Sequence, residues 1–144
     1  MNISLKSGLV IPLLCILSSC TFTHPQSPDD LDALFLEVIK FELLPRASEM
    51  YFPVFVIIED QDPSSELVRQ IAEQGINVRY GSEHQKGDIG VRFVISELDR
   101  LNATEVELTA DAICDGMCST RSTYTWQLSE GVWRINSSIK IMMQ

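Results

Sequence analysis

The sequence has few basic residues and few histidines. Lysine and arginine together number 11 against 20 aspartates and glutamates, which gives a formal net charge of −9, and there are two histidines. Binding to nucleic acid needs lysine and arginine to neutralise the phosphates. Adhesion to anionic lipid headgroups needs the same positive charges. The composition therefore argues against nucleic acid as a partner and against electrostatic binding to a membrane.

Motifs of common enzyme classes are also missing. There is no Gly-rich phosphate-binding loop, nucleophile elbow or zinc-type spacing of histidine and cysteine. His84, in the polar segment 81–87, is a candidate metal ligand, and Glu59, Asp60 and Asp62 are candidate acid–base or calcium-binding groups. Simpler interpretations are an exposed loop histidine and, for Asp62, a helix cap. We therefore assign no catalytic residue, expect no cofactor and favour a protein that is not an enzyme.

No apolar run reaches the roughly 20 residues that a membrane-spanning helix needs. The run from Leu9 to Leu17 is shorter, follows Lys6 and is interrupted by Pro12. Two serines and Cys20 come directly after it. A basic start, a short apolar core and small residues before a cleavage point are typical of a secretory signal peptide.

The sequence Leu17-Ser18-Ser19-Cys20 resembles the lipobox of bacterial lipoproteins. The resemblance implies cleavage before Cys20, lipidation of Cys20 and attachment to a membrane face through acyl chains. Thr21 stands where an aspartate usually retains a lipoprotein in the inner membrane, so the resemblance favours the periplasmic face of the outer membrane in a Gram-negative organism. Cleavage before Cys15, an ordinary secretory signal and an N-terminal core helix are the alternatives.

This interpretation divides the chain into three parts. Residues 1–19 form the signal peptide, residues 20–27 form the lipidated cysteine and a tether, and residues 28–144 form a single α+β domain. Lys6 is lost with the signal, which makes the mature protein still more acidic. The lipid therefore has to provide the attachment, and the expected partners are the membrane and another protein of the cell envelope.

Two cysteines remain in the mature domain, Cys114 and Cys118. An isolated pair in an oxidising compartment is most simply a disulfide. One alternative is a redox-active pair, although such sites usually have two intervening residues at a helix N-terminus. Another is a Cu(I) site in which Met117 supplies a third sulfur.

Alternating apolar and polar residues on both sides of these cysteines predict two strands joined by a tight turn. If Cys114 lies opposite Cys118, Leu108 faces Tyr124 and the two apolar faces coincide. The same register places Asp111 opposite Arg121 on the polar side, and Val106 opposite Trp126 on the apolar side. A slip by one residue would turn one apolar face toward water.

The whole domain is expected to be α+β. The sequence predicts an antiparallel meander of three to four strands, at about 89–96, 104–113, 121–128 and 132–143. A two-residue turn at Glu130-Gly131 sets Leu128 opposite Trp133 and Trp126 opposite Ile135. Strict alternation then places Ile139, Ile141 and Met143 on the same apolar face.

Two helices, at about 28–44 and 63–74, are expected to cover one face of this sheet. Ser27 and Pro28 are typical of a helix start, and Gly75 of a helix end. Leu31, Leu34, Phe35, Val38 and Phe41 form an apolar stripe at helical spacing. Residues 51–80 suggest a β-α-β unit around the second helix.

These features predict a membrane-anchored lipoprotein domain that is a non-catalytic binding or structural module of the envelope. The Cys-X₃-Cys turn followed by Tyr124-X-Trp126 and Gly131-X-Trp133 resembles the ending of uncharacterised exported bacterial proteins. The alternative is a small enzyme or Cu(I)-handling protein that uses the space between helices and sheet. A polar cavity containing Glu59, Asp60 or His84 would favour the enzyme.

Overall fold

The computed structural model describes residues 31–114 and 118–143, apart from the side chains of Cys118, Met142 and Met143. Several predicted features lie outside these residues. They are the signal peptide, Cys20, the tether, the start of the first helix and Met117. Two α-helices, α1 and α2, two short 3-10 helices and six strands, β1 to β6, follow in chain order. They are α1 (Asp32–Leu43), a 3-10 helix (Leu44–Arg46), β1 (Val54–Ile58), α2 (Ser65–Glu73), β2 (Val78–Tyr80), a 3-10 helix (Gly81–Glu83), β3 (Val91–Asn102), β4 (Glu105–Cys114), β5 (Cys118–Ser129) and β6 (Val132–Met143).

The six strands form one mixed sheet in the order β2-β1-β3-β4-β5-β6. Strand β1 pairs in parallel with β2 and with β3, whereas β3 to β6 pair antiparallel. The α+β class is therefore confirmed, and β1, α2 and β2 form a β-α-β unit. The expected sheet of three to four strands is too small, because β1 pairs with β3 and so joins this unit to the antiparallel strands.

Helix α2 shows how the local sequence sets its ends. The hydroxyl of Ser64 accepts a hydrogen bond from the N–H of Leu67, at 3.1 Å, and so caps the first turn. Gly75, with φ of 83°, follows the last turn in the left-handed conformation that glycine adopts without strain. The prediction for Gly75 is confirmed, but Asp62 does not cap α2.

Both helices pack on one face of the sheet, which we call the helix face. Their buried apolar side chains contact the inward residues of the strands, and the members from α1 and α2 are Leu34, Phe35, Val38, Ile39, Leu43, Leu67 and Ile71. Phe41 was expected in this stripe but is 48% exposed. Its ring meets Tyr124 and Trp126 edge-on, with centroid distances of 5.8 and 6.2 Å.

The register predicted from the cysteines is confirmed. Cys114 lies opposite Cys118, Leu108 opposite Tyr124 and Asp111 opposite Arg121, and Val106 opposite Trp126. The turn between β5 and β6 is also as predicted. Glu130 and Gly131 have φ of 53° and 75°, as a two-residue type I′ turn requires, and Leu128 faces Trp133.

Strand β6 departs from the prediction at Asn136. Thr125 pairs with Ser137 and Trp126 pairs with Ile135, so Asn136 is an extra residue, a β-bulge. A bulge shifts the alternation by one residue, so the residues after it exchange faces. Ile139 and Ile141, expected on the apolar face, therefore lie on the opposite face, 66% and 56% exposed.

No helix among the described residues is long and apolar enough to cross a membrane.

Candidate functional site

A cleft of about 350 Å³ lies between the C-terminal end of α1 and the end of the sheet that carries the cysteines. We call it the hairpin cleft. Its lining combines apolar side chains with charged ones at the rim. The lining residues are Leu43, Arg46, Glu49, Met50, Val91, Ala112, Cys114, Thr120 and Lys140.

Small side chains on β4 and β5 explain why this end of the helix face is open. Ala112 lies opposite Thr120 in the register of these strands. Neither side chain is long enough to fill the space under Leu43. At the other end of the same strands, Tyr124 and Trp126 are almost completely buried and fill the corresponding space. The gradient in side-chain size along the sheet thus creates the cleft.

The bulge at Asn136 brings Lys140 into this cleft. Its ammonium Nζ lies 3.4 Å from Oε2 of Glu42, which belongs to α1. The Glu42 side chain is only 8% exposed, whereas that of Lys140 is 41% exposed. Lys140 therefore balances a buried carboxylate and still presents part of its charge to the cleft.

Arg46 and Glu49 stand on the segment that follows α1. Both side chains are exposed, and neither forms an ion pair within the described residues. A guanidinium binds a carboxylate through two parallel hydrogen bonds, so Arg46 is suited to the charged end of a ligand whose apolar part lies in the cleft. Sequence reasoning missed Arg46 because a basic residue after a helix is common on protein surfaces.

Cys114 forms part of the cleft wall and faces Cys118 in the register. Because the side chain of Cys118 and all of Met117 lie outside the described residues, the disulfide and the alternative sulfur site for Cu(I) both stay predictions. Among the residues that the structure describes, no group of three or more His, Cys, Asp or Glu side chains could hold a metal ion.

The other sequence candidates lie away from the hairpin cleft. The ring of His84 packs against Phe55, with centroids 4.9 Å apart and planes at 81°, so it is half-buried rather than an exposed loop histidine. Glu59 accepts a hydrogen bond from the N–H of Leu98 at 3.2 Å. Asp60 lies in the tight turn after β1 with φ of 62°. The structure does not bring these groups into one cavity.

Asp62 has a structural role other than the one predicted. Its carboxylate accepts hydrogen bonds from the hydroxyl and the N–H of Ser82, at the start of the second 3-10 helix. The Ser82 hydroxyl, followed by the Ser82 N–H, lowers the pKa of Asp62. Asp62 therefore connects the segment before α2 to the segment after β2.

Comparisons with known proteins identify no family for this chain. No protein-family model matches the chain, and no curated protein matches it. A solved structure that is similar to it is an NTF2-like protein of unknown function from Silicibacter pomeroyi DSS-3. The two are 13% identical with a TM-score of 0.37, and the match covers 77% of this chain and 90% of that chain.

Proposed function

We propose that the protein is a lipid-anchored binding domain of the bacterial cell envelope and that its hairpin cleft binds a small amphipathic carboxylate. The observation that carries the proposal is the cleft itself, which has an apolar interior and, at its rim, Arg46, an exposed guanidinium without an ion pair among the described residues. Its volume of about 350 Å³ lies at the lower end of the range of about 300–1,000 Å³ that is usual for small-ligand pockets. The ligand is therefore small.

The chemistry of the cleft selects the ligand class. Leu43, Met50 and Val91 provide apolar contacts for an alkyl or aryl group. Arg46 provides a charge-assisted fork for one carboxylate. Lys140 adds positive potential nearby, although Glu42 balances part of it. An uncharged ligand of the same size would gain the apolar contacts alone.

A binding role is preferred to a catalytic one because of how the ionisable groups are used. Glu42 is buried and already paired with Lys140. Glu59 and Asp62 accept backbone hydrogen bonds at other places in the fold. These contacts hold segments together, and none of them positions a base beside a nucleophile.

The binding proposal can be tested by calorimetric titration of hexanoate into the mature protein held in lipid nanodiscs, with empty nanodiscs as the blank. We expect hexanoate to bind and hexanol to bind about tenfold more weakly, because the alcohol lacks the charge that Arg46 recognises. Arg46→Gln should weaken hexanoate binding by a similar factor. Arg79→Gln, which removes an exposed guanidinium from β2, is the matched control and should bind as the unchanged protein does.

A second variant tests the apolar interior. Ala112→Leu places a larger side chain in the cleft and should abolish binding while leaving the far-UV spectrum unchanged. If hexanoate binds equally well to Arg46→Gln and to Ala112→Leu, the hairpin cleft is not the binding site.

The membrane anchor is proposed from the lipobox and is tested separately. The protein with Cys20 intact should stay with the membrane fraction after a high-salt wash, because acyl chains rather than charges hold it there. Cys20→Ala removes the residue that would carry the lipid, so this variant should leave the membrane fraction. Mass spectrometry of the mature N-terminus should show acyl chains only in the protein that keeps Cys20. Equal membrane retention of Cys20→Ala would contradict the anchor and leave the cleft proposal standing.

A further inference from the structure

Strand β6 forms one edge of the sheet. It lies last in the strand order, and its only described neighbour is β5. It is 12 residues long, whereas the strand at the opposite edge, β2, has three residues. The backbone groups on the outer side of an edge strand can pair with another strand, and long edge strands are normally protected. Within the described residues no strand covers β6.

The charge of β6 is opposite to that of the whole chain. The segment from Val132 to Met143 contains Arg134 and Lys140 and no acidic residue, although the chain has a net charge of −9. A second copy of this chain would bring another cationic edge and another strongly acidic body. Charge complementarity therefore favours a partner segment that carries carboxylates.

The bulge at Asn136 determines what such a segment has to look like. In residues 137–143, Ile139 and Ile141 lie on the open face of the sheet, 66% and 56% exposed. Lys140, between them, lies on the helix face. A strand that pairs with this segment places alternate side chains on the two faces. Its residues on the open face therefore lie beside the two isoleucines, and those on the helix face lie beside the lysine.

We infer that residues 137–143 of β6 bind an extended segment of a partner protein in which aliphatic and acidic residues alternate. The added strand extends the sheet through main-chain hydrogen bonds. Its aliphatic residues cover Ile139 and Ile141. Its acidic residues lie beside the exposed part of Lys140, which keeps its contact with Glu42. The inference does not depend on the lipid anchor, and Lys140 is the residue that it shares with the lining of the hairpin cleft.

The probe is a capped nine-residue peptide in which valine and glutamate alternate, added to the mature protein in nanodiscs. Hydrogen exchange followed by mass spectrometry should show slower exchange of the backbone amides in residues 137–143 at saturation. A peptide in which valine and lysine alternate should bind at least tenfold more weakly. A peptide of the same valine and glutamate composition, but with all the glutamates at one end, should also bind at least tenfold more weakly.

Protein variants locate the contact. Ile139→Asp combined with Ile141→Asp should abolish protection by the alternating acidic peptide, and both side chains are exposed enough for the fold to tolerate the change. Leu101→Asp, at a residue of β3 that is 49% exposed, is the matched control and should retain protection.

Three outcomes would overturn the inference. They are unchanged exchange in residues 137–143 at saturating peptide, equal binding of the valine–lysine peptide, and equal protection in the double aspartate variant. A fourth outcome would also overturn it. If the amides of residues 137–143 that do not donate to β5 are strongly protected in the protein without peptide, another part of this chain already occupies the outer edge.

Discussion

Lys140 contacts Glu42 because Asn136 is an extra residue in β6. Without the bulge, strict alternation would place Lys140 on the open face and an isoleucine beside the buried carboxylate. A single residue thus sets two properties of the molecule. It supplies the counter-charge of Glu42, and it exposes Ile139 and Ile141 on the other face.

Lys140→Met should lower the free energy of unfolding by about 1–2 kcal/mol, because Glu42 then stays buried without its partner. We expect less than the cost of breaking a fully buried pair, since Lys140 is 41% exposed. Urea unfolding provides the measurement. Adding Glu42→Gln should recover part of the loss, and Arg134→Met, on the same strand, should change the unfolding free energy by less than about 0.5 kcal/mol.

Two turns begin with a glutamate in the left-handed region, Glu59 and Glu130, with φ of 47° and 53°. Asparagine is preferred at this position of a type I′ turn. Glu130→Asn should therefore stabilise the protein by about 0.5 kcal/mol. Glu59→Asn should give no gain, because it removes the hydrogen bond from Leu98. Thermal unfolding of the two variants checks the contrast, and equal stabilisation by both would show that the Glu59 bond contributes nothing.

The Asp62 carboxylate predicts a particular pH dependence. Its pKa is below the ordinary value of 3.8 in the folded protein, mainly because of the Ser82 hydroxyl. A group with a lowered folded pKa stabilises the fold above its unfolded pKa and loses that effect as the pH falls through the folded pKa. Asp62→Asn should therefore be less stable than the unchanged protein at neutral pH, and this difference should disappear in strong acid.

Chemical unfolding of Asp62→Asn at pH 7 and near pH 2 measures that difference. Asp99→Asn removes an exposed aspartate elsewhere and serves as the control for the loss of one charge. A difference for Asp62→Asn that stays constant from neutral pH to strong acid would show that the carboxylate charge is not what Ser82 stabilises.

At the scale of the elements, the register of β4 and β5 could be predicted from the sequence. Apolar residues alternate with polar ones in both strands, and the predicted register places both apolar faces on the same side of the sheet. Facing positions such as Leu108 and Tyr124 have to share a buried face, and a slip by one residue exposes one of them. The pairing of β1 with β3 could not be predicted. Strand β1 is buried along most of its length, so its side chains carry no alternation that identifies a neighbour.

The bulge could not be predicted from the alternation of apolar and polar residues either. The apolar residues on both sides of Asn136 stand at odd positions, so the sequence pattern does not show that the pairing with β5 shifts there. The run Asn136-Ser137-Ser138 was the available signal, since these residue types are poor strand formers. The hairpin cleft depends on this bulge and on the position of α1 above Ala112. Sequence reasoning therefore identified Cys114 of the site and missed Lys140 and Arg46.

The predicted disulfide between Cys114 and Cys118 is tested at this scale. A loop of this size should contribute about 2 kcal/mol to stability by restricting the unfolded chain. We therefore expect Cys114→Ser combined with Cys118→Ser to lose about that amount while β4 and β5 keep their register, because Leu108 and Tyr124 still have to face each other. Thiol titration of the unsubstituted protein, denatured without a reducing agent, should find neither cysteine free. Two free thiols would contradict the disulfide.

For the whole molecule, the dominant property is the excess of negative charge. With a net charge of −9, the folded protein experiences repulsion among its carboxylates. Ion pairs offset this repulsion only locally. Arg121 and Asp111, for example, form a bidentate contact with N···O distances of 2.9 and 2.8 Å. The pKa of Arg121 is raised, chiefly by its hydrogen bonds to Asp111.

The balance between general repulsion and local attraction predicts how stability responds to salt. Raising the ionic strength from about 0.01 M to 0.15 M shortens the screening length from roughly 30 Å to 8 Å, which weakens long-range repulsion more than contacts at 3 Å. We expect the melting temperature at neutral pH to rise by a few degrees, which corresponds to about 0.5–1 kcal/mol. The same salt change near pH 4.6, the isoelectric point of the sequence, should have a much smaller effect because the net charge is then close to zero. Calorimetry under the four conditions measures both, and a fall in melting temperature with salt at neutral pH would mean that the ion pairs outweigh the repulsion.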